Sequence, residues 1–257
     1  MTAVLQPIGR TFLNGLSAMG RLTLFALVAI QHCLTPPFYP RLLVRQMIEI
    51  GYYSLPYVGM TAVFTGMVLV LQTYTGFNVN AEGLMPQIVV LSLTRELGPV
   101  LAALIVAGRI GASMAAEIGT MRVTEQIDAL STLSTNPFKY LIAPRIWAGV
   151  TMLPLLVGIG DVIGVFGGYL VAVHKLNFNS GNFLKNIAEA TEFIDVFSGL
   201  VKAAVFGFTI TLMGCYHGFN SKGGAQGVGK ATTNAVATSM ILILILDYIL
   251  TELFFSK

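Results

Sequence analysis

Ser92–Leu130 reads SLTRELGPVLAALIVAGRIGASMAAEIGTMRVTEQIDAL, and this stretch decides the fold. It opens inside an apolar run with two adjacent charges, Arg95 and Glu96, followed by the helix-disturbing pair Gly98-Pro99. A charge at the centre of a bilayer costs roughly 2.5–3.5 kcal/mol on insertion scales, so both charges need a partner or a wet cavity. Gly98-Pro99 frees backbone groups that a packed neighbour or water must satisfy, which predicts a broken helix at this point. A long apolar helix follows and passes without interruption into a polar, amphipathic segment. The stretch therefore reads as a membrane helix with an embedded polar site, ending in a cytoplasmic docking segment.

Composition agrees. Of 257 residues, 55% are hydrophobic and 11% charged, well under the quarter usual in soluble domains. Several apolar runs reach the ~20 residues needed to cross a bilayer. The expected class is an all-α polytopic membrane protein. Its net charge of +3 comes from scattered Lys and Arg, which leaves no footprint for nucleic acid. Cys33 and Cys215 lie in or beside apolar runs and read as packed thiols. The first twenty residues lack a short apolar core with a small-residue cleavage site, so the amino terminus is expected to be retained.

Residues 1–50 form one expected unit. Leu22–Ile30 is apolar but too short to span, is broken by Thr35-Pro36-Pro37 and Pro40, and is flanked by Arg10, Arg21, Arg41 and Arg45. That pattern predicts an interfacial, elbow-like helix, with a re-entrant segment as the competitor. Residues 51–257 form the transmembrane domain, with five crossings at Tyr57–Tyr74, Pro86–Ala116, Ile146–Val173, Asp195–Tyr216 and Thr233–Phe255. A short polar turn is expected over Gly76–Pro86, and a coupling segment over 117–135. Ten basic residues (Arg10, Arg21, Arg41, Arg45, Arg109, Arg122, Lys139, Arg145, Lys222 and Lys230) fall on one side against Lys175, Lys185 and Lys257 on the other. The bias puts the amino terminus in the cytoplasm and the carboxyl terminus outside. An odd number of crossings cannot be two equal inverted halves, so a second copy of the chain would complete any central pathway.

Arg95 and Glu96 point about 100° apart on a helix and cannot form an ideal mutual pair. Either they line a cavity and meet a headgroup, or they join a buried interhelical network. Val63, Met67, Val70, Leu71 and Tyr74 share one face of the first crossing. Such a face is more often packing than substrate surface, although an apolar wall beside a charge suits a lipid. Gly108, Ala112 and Ala116 make a small-residue seam, and Gly111, Ala115 and Gly119 another; both predict close helix packing within one subunit. In the coupling segment, Thr124 is expected to cap a helix carrying Glu125 and Asp128 in its first turn. Val123, Ile127 and Leu130 give that helix one apolar face, turned towards its own protein, the membrane or a groove on a partner. Gly224–Lys230 has the spacing of a phosphate loop, but Ala231 replaces Ser or Thr and no strand precedes it, so nucleotide binding is rejected. Asp161 and Asp247, inside apolar runs, read as interhelical hydrogen-bond partners rather than proton carriers. The histidines have no metal-ligand spacing with the cysteines, and no nucleophile–base–orienter set exists; neither a metal site nor a catalytic residue is expected.

Three motifs in order carry a resemblance: LTRELGPVLAALIVAGRIGASMAAEIGTMRVTEQIDAL, NPFKYLIAPRIWAG (Asn136–Gly149) and GAQGVGKATTNAVATSMILILILDYILT (Gly224–Thr251). Over roughly residues 50 to 255 the chain resembles the MlaE permease family, the membrane subunits of lipid transporters that maintain outer-membrane asymmetry. The resemblance implies an ABC transporter permease, a homodimer in the inner membrane of a Gram-negative bacterium, moving glycerophospholipid. Its implied partners are a cytoplasmic ATPase dimer, which would hold the ATP and Mg, a STAS-domain protein and a periplasmic ring of MCE-domain proteins. By the same resemblance Val70, Leu71, Tyr74, Glu96 and Leu97, with Arg95, are implied lipid contacts, joined on the first-crossing face by Val63 and Met67. Glu117, Arg122, Val123, Glu125, Ile127, Asp128 and Leu130 are implied ATPase-coupling residues. Competing readings are an ion-coupled secondary transporter using Glu96, Asp161 and Asp247, and a passive membrane scaffold.

Overall fold

A computed structural model describes the backbone of residues 2–76 and 81–256 and the side chains of 13, 15–76 and 83–256. Every regular element among the described residues is helical. In chain order these are α1 (Thr2–Leu34), α2 (Pro40–Ile50), α3 (Leu55–Gly76), α4 (Ala81–Ser92), α5 (Gly98–Val106), α6 (Ala112–Val123), α7 (Gln126–Thr132), α8 (Ala143–His174), α9 (Ser180–Ala190), α10 (Phe193–Phe219) and α11 (Gly224–Phe255). Wider π turns at Leu93–Leu97 and Ala107–Gly111 join α4, α5 and α6 into one interrupted second crossing, and a third precedes α8 at Phe138–Ile142. The five expected crossings are all present as long apolar helices, most of them longer than expected.

Two expectations change. The second crossing does not start at Pro86: α4 begins five residues earlier and carries Pro86 inside it, while 77–80 of the expected turn lie outside the described residues. At the amino terminus, the helix does not stop at the apolar core of Leu22–Ile30. Within α1, Gly15–Leu34 is long and apolar enough to cross a membrane, so the length argument against spanning fails. Its contacts nevertheless suit a helix lying across one end of the bundle. Phe25 packs on Phe138, Tyr216 and Phe219, and His32 stacks on Phe138 and meets Asn136, while the Trp147 indole donates to the Cys33 carbonyl. Phe25 and His32, seven residues apart, thus meet the same ring.

Glycine sets how closely the crossings approach. Along the α3–α8 contact, a Cβ at Gly66 would overlap the Gly164 carbonyl, and one at Gly167 would press within 2.6 Å of the Val63 carbonyl. The predicted Gly111-Ala115-Gly119 seam packs inside the subunit, against Gly214 and Gly218 of α10 and Ser221 just beyond its end. Gly224–Lys230, the near-miss phosphate loop, is the first turns of α11 and offers no backbone cradle.

Candidate lipid site and coupling corner

The second crossing breaks where the sequence predicts. Pro99 has no N–H, so the carbonyl four residues before it, on Arg95, loses its helical partner. The chain widens into the π turn, with Gly98 N–H reaching back to the Leu93 carbonyl. The orphaned Arg95 carbonyl is taken by Lys202 of α10, whose Nζ donates to it at 3.0 Å. Gly199 permits this approach: a Cβ there would overlap the Thr94 carbonyl.

Lys202 is the centre of the polar site and is wholly buried (0% exposed). Its ammonium lies 2.9 Å from Glu96 Oε2, 2.7 Å from Thr251 Oγ1 and 3.0 Å from Asp247 Oδ1. Thr251 donates in turn to Glu96 Oε1 at 3.1 Å. Asp247 is therefore an interhelical ion-pair partner of Lys202, while the expected hydrogen bond is missing from its buried Oδ1. Arg95 turns the other way, onto Asp195, with Nη2 and Nε at 2.6 and 2.7 Å from Oδ1. The same Asp195 carboxylate accepts from the Glu192 backbone N–H and so closes the amino-terminal capping box of α10. The Arg95 guanidinium also lies 4.4 Å over the Phe255 ring. Arg95 and Glu96 thus do not pair with each other; each joins α10, and Glu96 also reaches α11. Sequence reasoning missed Lys202, Asp195 and Thr251. A lone lysine in the apolar run Val196–Phe208 was the available signal.

The structure splits the predicted wall on α3. Val70 is wholly buried, packed with Met85, Val89 and Leu93, so it serves as core in this arrangement; Val63, Met67 and Leu71 are half-buried. Tyr74 is exposed, its ring edge-on to Phe178 at 6.1 Å. Leu97 packs on the Val70 cluster, so the bulge and this wall meet through Leu97 while Glu96 faces α10 and α11. The outward stripe of α3 is instead Tyr57, Met60, Phe64 and Val68.

In the coupling segment α6 ends at Val123 and α7 begins after Glu125, a left-handed residue at φ 60°. Thr124 does not cap α7; its hydroxyl turns back to the Thr120 carbonyl at 2.8 Å. Asp128 lies in the first turn of α7 and pairs with Arg122 at 2.6 Å, an exposed bridge of small energetic weight. Glu117 binds buried Arg145 at 2.8 Å. Ile127 is 1% exposed and packs in the cluster of Ile118 and Ile142, with half-buried Leu130 against it. The apolar face therefore docks on its own subunit. What a partner can touch is the other face, with Glu125, Gln126, Asp128 and Ala129, and the following Leu133, 74% exposed.

Comparison with known proteins decides the family. The model for "Permease MlaE" matches residues 43–253. The chain belongs to the MlaE permease family. It is 56% identical over 254 residues to a probable ABC transporter permease protein of Rickettsia bellii, covering 98% of both chains. It is 43% identical over 217 residues to one of Synechocystis, covering 82% of this chain and 81% of the relative. To the intermembrane phospholipid transport system permease protein MlaE of Haemophilus influenzae it is 39% identical over 217 residues, covering 84% and 83%. This MlaE-family chain is thus an ABC transporter permease, multi-pass by its apolar helices.

Proposed function

We propose that this permease moves glycerophospholipid between the inner and outer membranes of a Gram-negative bacterium. A separate cytoplasmic ATPase dimer, holding ATP and Mg, would supply the energy. The observation that carries the reading is the second crossing: an interrupted apolar helix presenting Glu96, 38% exposed and anchored on buried Lys202, in a chain 39% identical to a relative named for phospholipid transport. Apolar tails would lie along Met67, Leu71, Tyr74 and Leu97, and the headgroup would meet Glu96 and Arg95. Val63 and Val70 would shape that wall from behind. A second copy of the chain completes the chamber. A STAS-domain protein and a periplasmic MCE-domain ring complete the complex, with the amino terminus cytoplasmic and the carboxyl terminus periplasmic.

Glu117, Arg122, Val123, Glu125, Ile127, Asp128 and Leu130 would build the ATPase-coupling corner. Val123, Ile127 and Leu130 would brace it from inside, and the polar face would make the contact. The test is native purification, identification of bound lipids and co-purified proteins, then reconstitution in liposomes. Fluorescent phospholipid should move on adding ATP, with no ion gradient present. Movement that follows a proton gradient and ignores ATP would overturn the reading in favour of ion coupling.

A further inference from the structure

Asp161, on α8, sits inside the bundle away from the Lys202 network. It is 9% exposed, its Oδ1 is sealed from solvent with no hydrogen-bond partner, and a Cβ on Gly98 would overlap that oxygen. The expectation of an interhelical hydrogen-bond partner is thereby corrected: among the described residues nothing bonds to Asp161. The carboxyl borders a cavity with about 20 Å³ of room, enough for a single water. Across this cavity α3 presents Thr61 and Thr65, the π turn Leu97, and α5 Leu101 and Ile105. No lining side chain other than Asp161 is titratable or charged. Glu96 and Arg95, on the same turn, are engaged on α10.

An isolated carboxylate in this setting would be an uncompensated charge in an apolar interior, where the group takes up a proton instead. A neutral carboxyl has both a donor and an acceptor to place, and hydroxyls are the polar side chains facing it. Thr61 already donates to the Tyr57 carbonyl at 2.9 Å and keeps lone pairs free. We propose that Asp161 is a proton-binding site: its neutral carboxyl and one water bridge the bulge of the second crossing to Thr61 and Thr65, holding the α3–α8 pair closed against α5. Loss of the proton puts a charge into this junction, draws in water and opens it.

The full-length chain in nanodiscs tests this by infrared difference spectroscopy, wild type minus Asp161→Asn. A protonated-carboxyl C=O band at neutral pH, absent from the variant and lost only in alkali, is expected. A carboxylate band at neutral pH would overturn the proposal. So would a carboxyl band that gives way to carboxylate when sodium replaces choline, since a metal ion would then be the ligand. A second measurement does not depend on the variant folding. Maleimide labelling of Leu101→Cys, which lines the cavity but takes no part in the bridge, divided by that of outward-facing Phe64→Cys to correct for thiol ionisation, should rise several-fold as the band disappears. A ratio flat across pH would overturn the opening.

Discussion

Replacing Lys202 by methionine keeps the length of the side chain and removes one charge. The lost groups can be counted: the Arg95 carbonyl, which has no helical donor because Pro99 follows, the Thr251 hydroxyl and two carboxylates. Leaving a buried carbonyl unpaired costs roughly 1–3 kcal/mol. Breaking a buried ion pair by removing one partner costs roughly 3–5 kcal/mol, and Asp247, 19% exposed, is near that regime. Glu96 is half-open to its surroundings and adds less. The sum is about 4–8 kcal/mol. At ~2–4 °C per kcal/mol for a chain of this size, Lys202→Met should lower the thermal midpoint in detergent by about 10–30 °C. Adding Asp247→Asn removes the stranded charge and should restore roughly half the loss, a coupling of at least about 2–4 kcal/mol in a double-mutant cycle. An unchanged midpoint for Lys202→Met, or additive losses in the double variant, would refute the network as the bulge's support.

Other variants separate packing from contact. Gly66→Ala should prevent accumulation of folded protein, because its methyl would overlap the Gly164 backbone, whereas Gly229→Ala, with open space around it, should be tolerated; expression followed by size exclusion reads both. Ile127→Ala should cost about 2–4 kcal/mol of stability as a cavity in the cluster with Ile118 and Ile142. Leu133→Glu should leave the thermal midpoint within 2 °C or so while abolishing ATP-driven lipid transfer, since that side chain projects from the coupling corner. Phe25→Ala removes a ring shared by three aromatic neighbours and should cost about 3 kcal/mol, with faster proteolysis between α1 and α2.

The crossings were legible because a run of twenty apolar residues has few other uses, and Gly98-Pro99 located the break in the second one. The form of the break was not legible, since whether a helix kinks or widens depends on which neighbour takes the freed carbonyl. That neighbour, Lys202, lies 107 residues away. Topology is read from the basic residues of the loops, and a lysine inside a crossing belongs to no loop. Periodicity grouped Val63, Met67, Val70, Leu71 and Tyr74 correctly on one face but gave no sign of which neighbour that face meets. Once α4 folds back on α3, Val70 becomes interior and the stripe through Met60 and Phe64 becomes the outer one. The same holds for Ile127 and Leu130, where an apolar face told of docking but not on whom.

An ammonium group carries three protons, and four oxygens stand within 3.0 Å of the one on Lys202: Arg95 O, Glu96 Oε2, Thr251 Oγ1 and Asp247 Oδ1. One of them must always go short, and the Asp247 oxygen is the one left close by without a hydrogen bond of its own. The knot is therefore frustrated by arithmetic, free to reshuffle which oxygen waits.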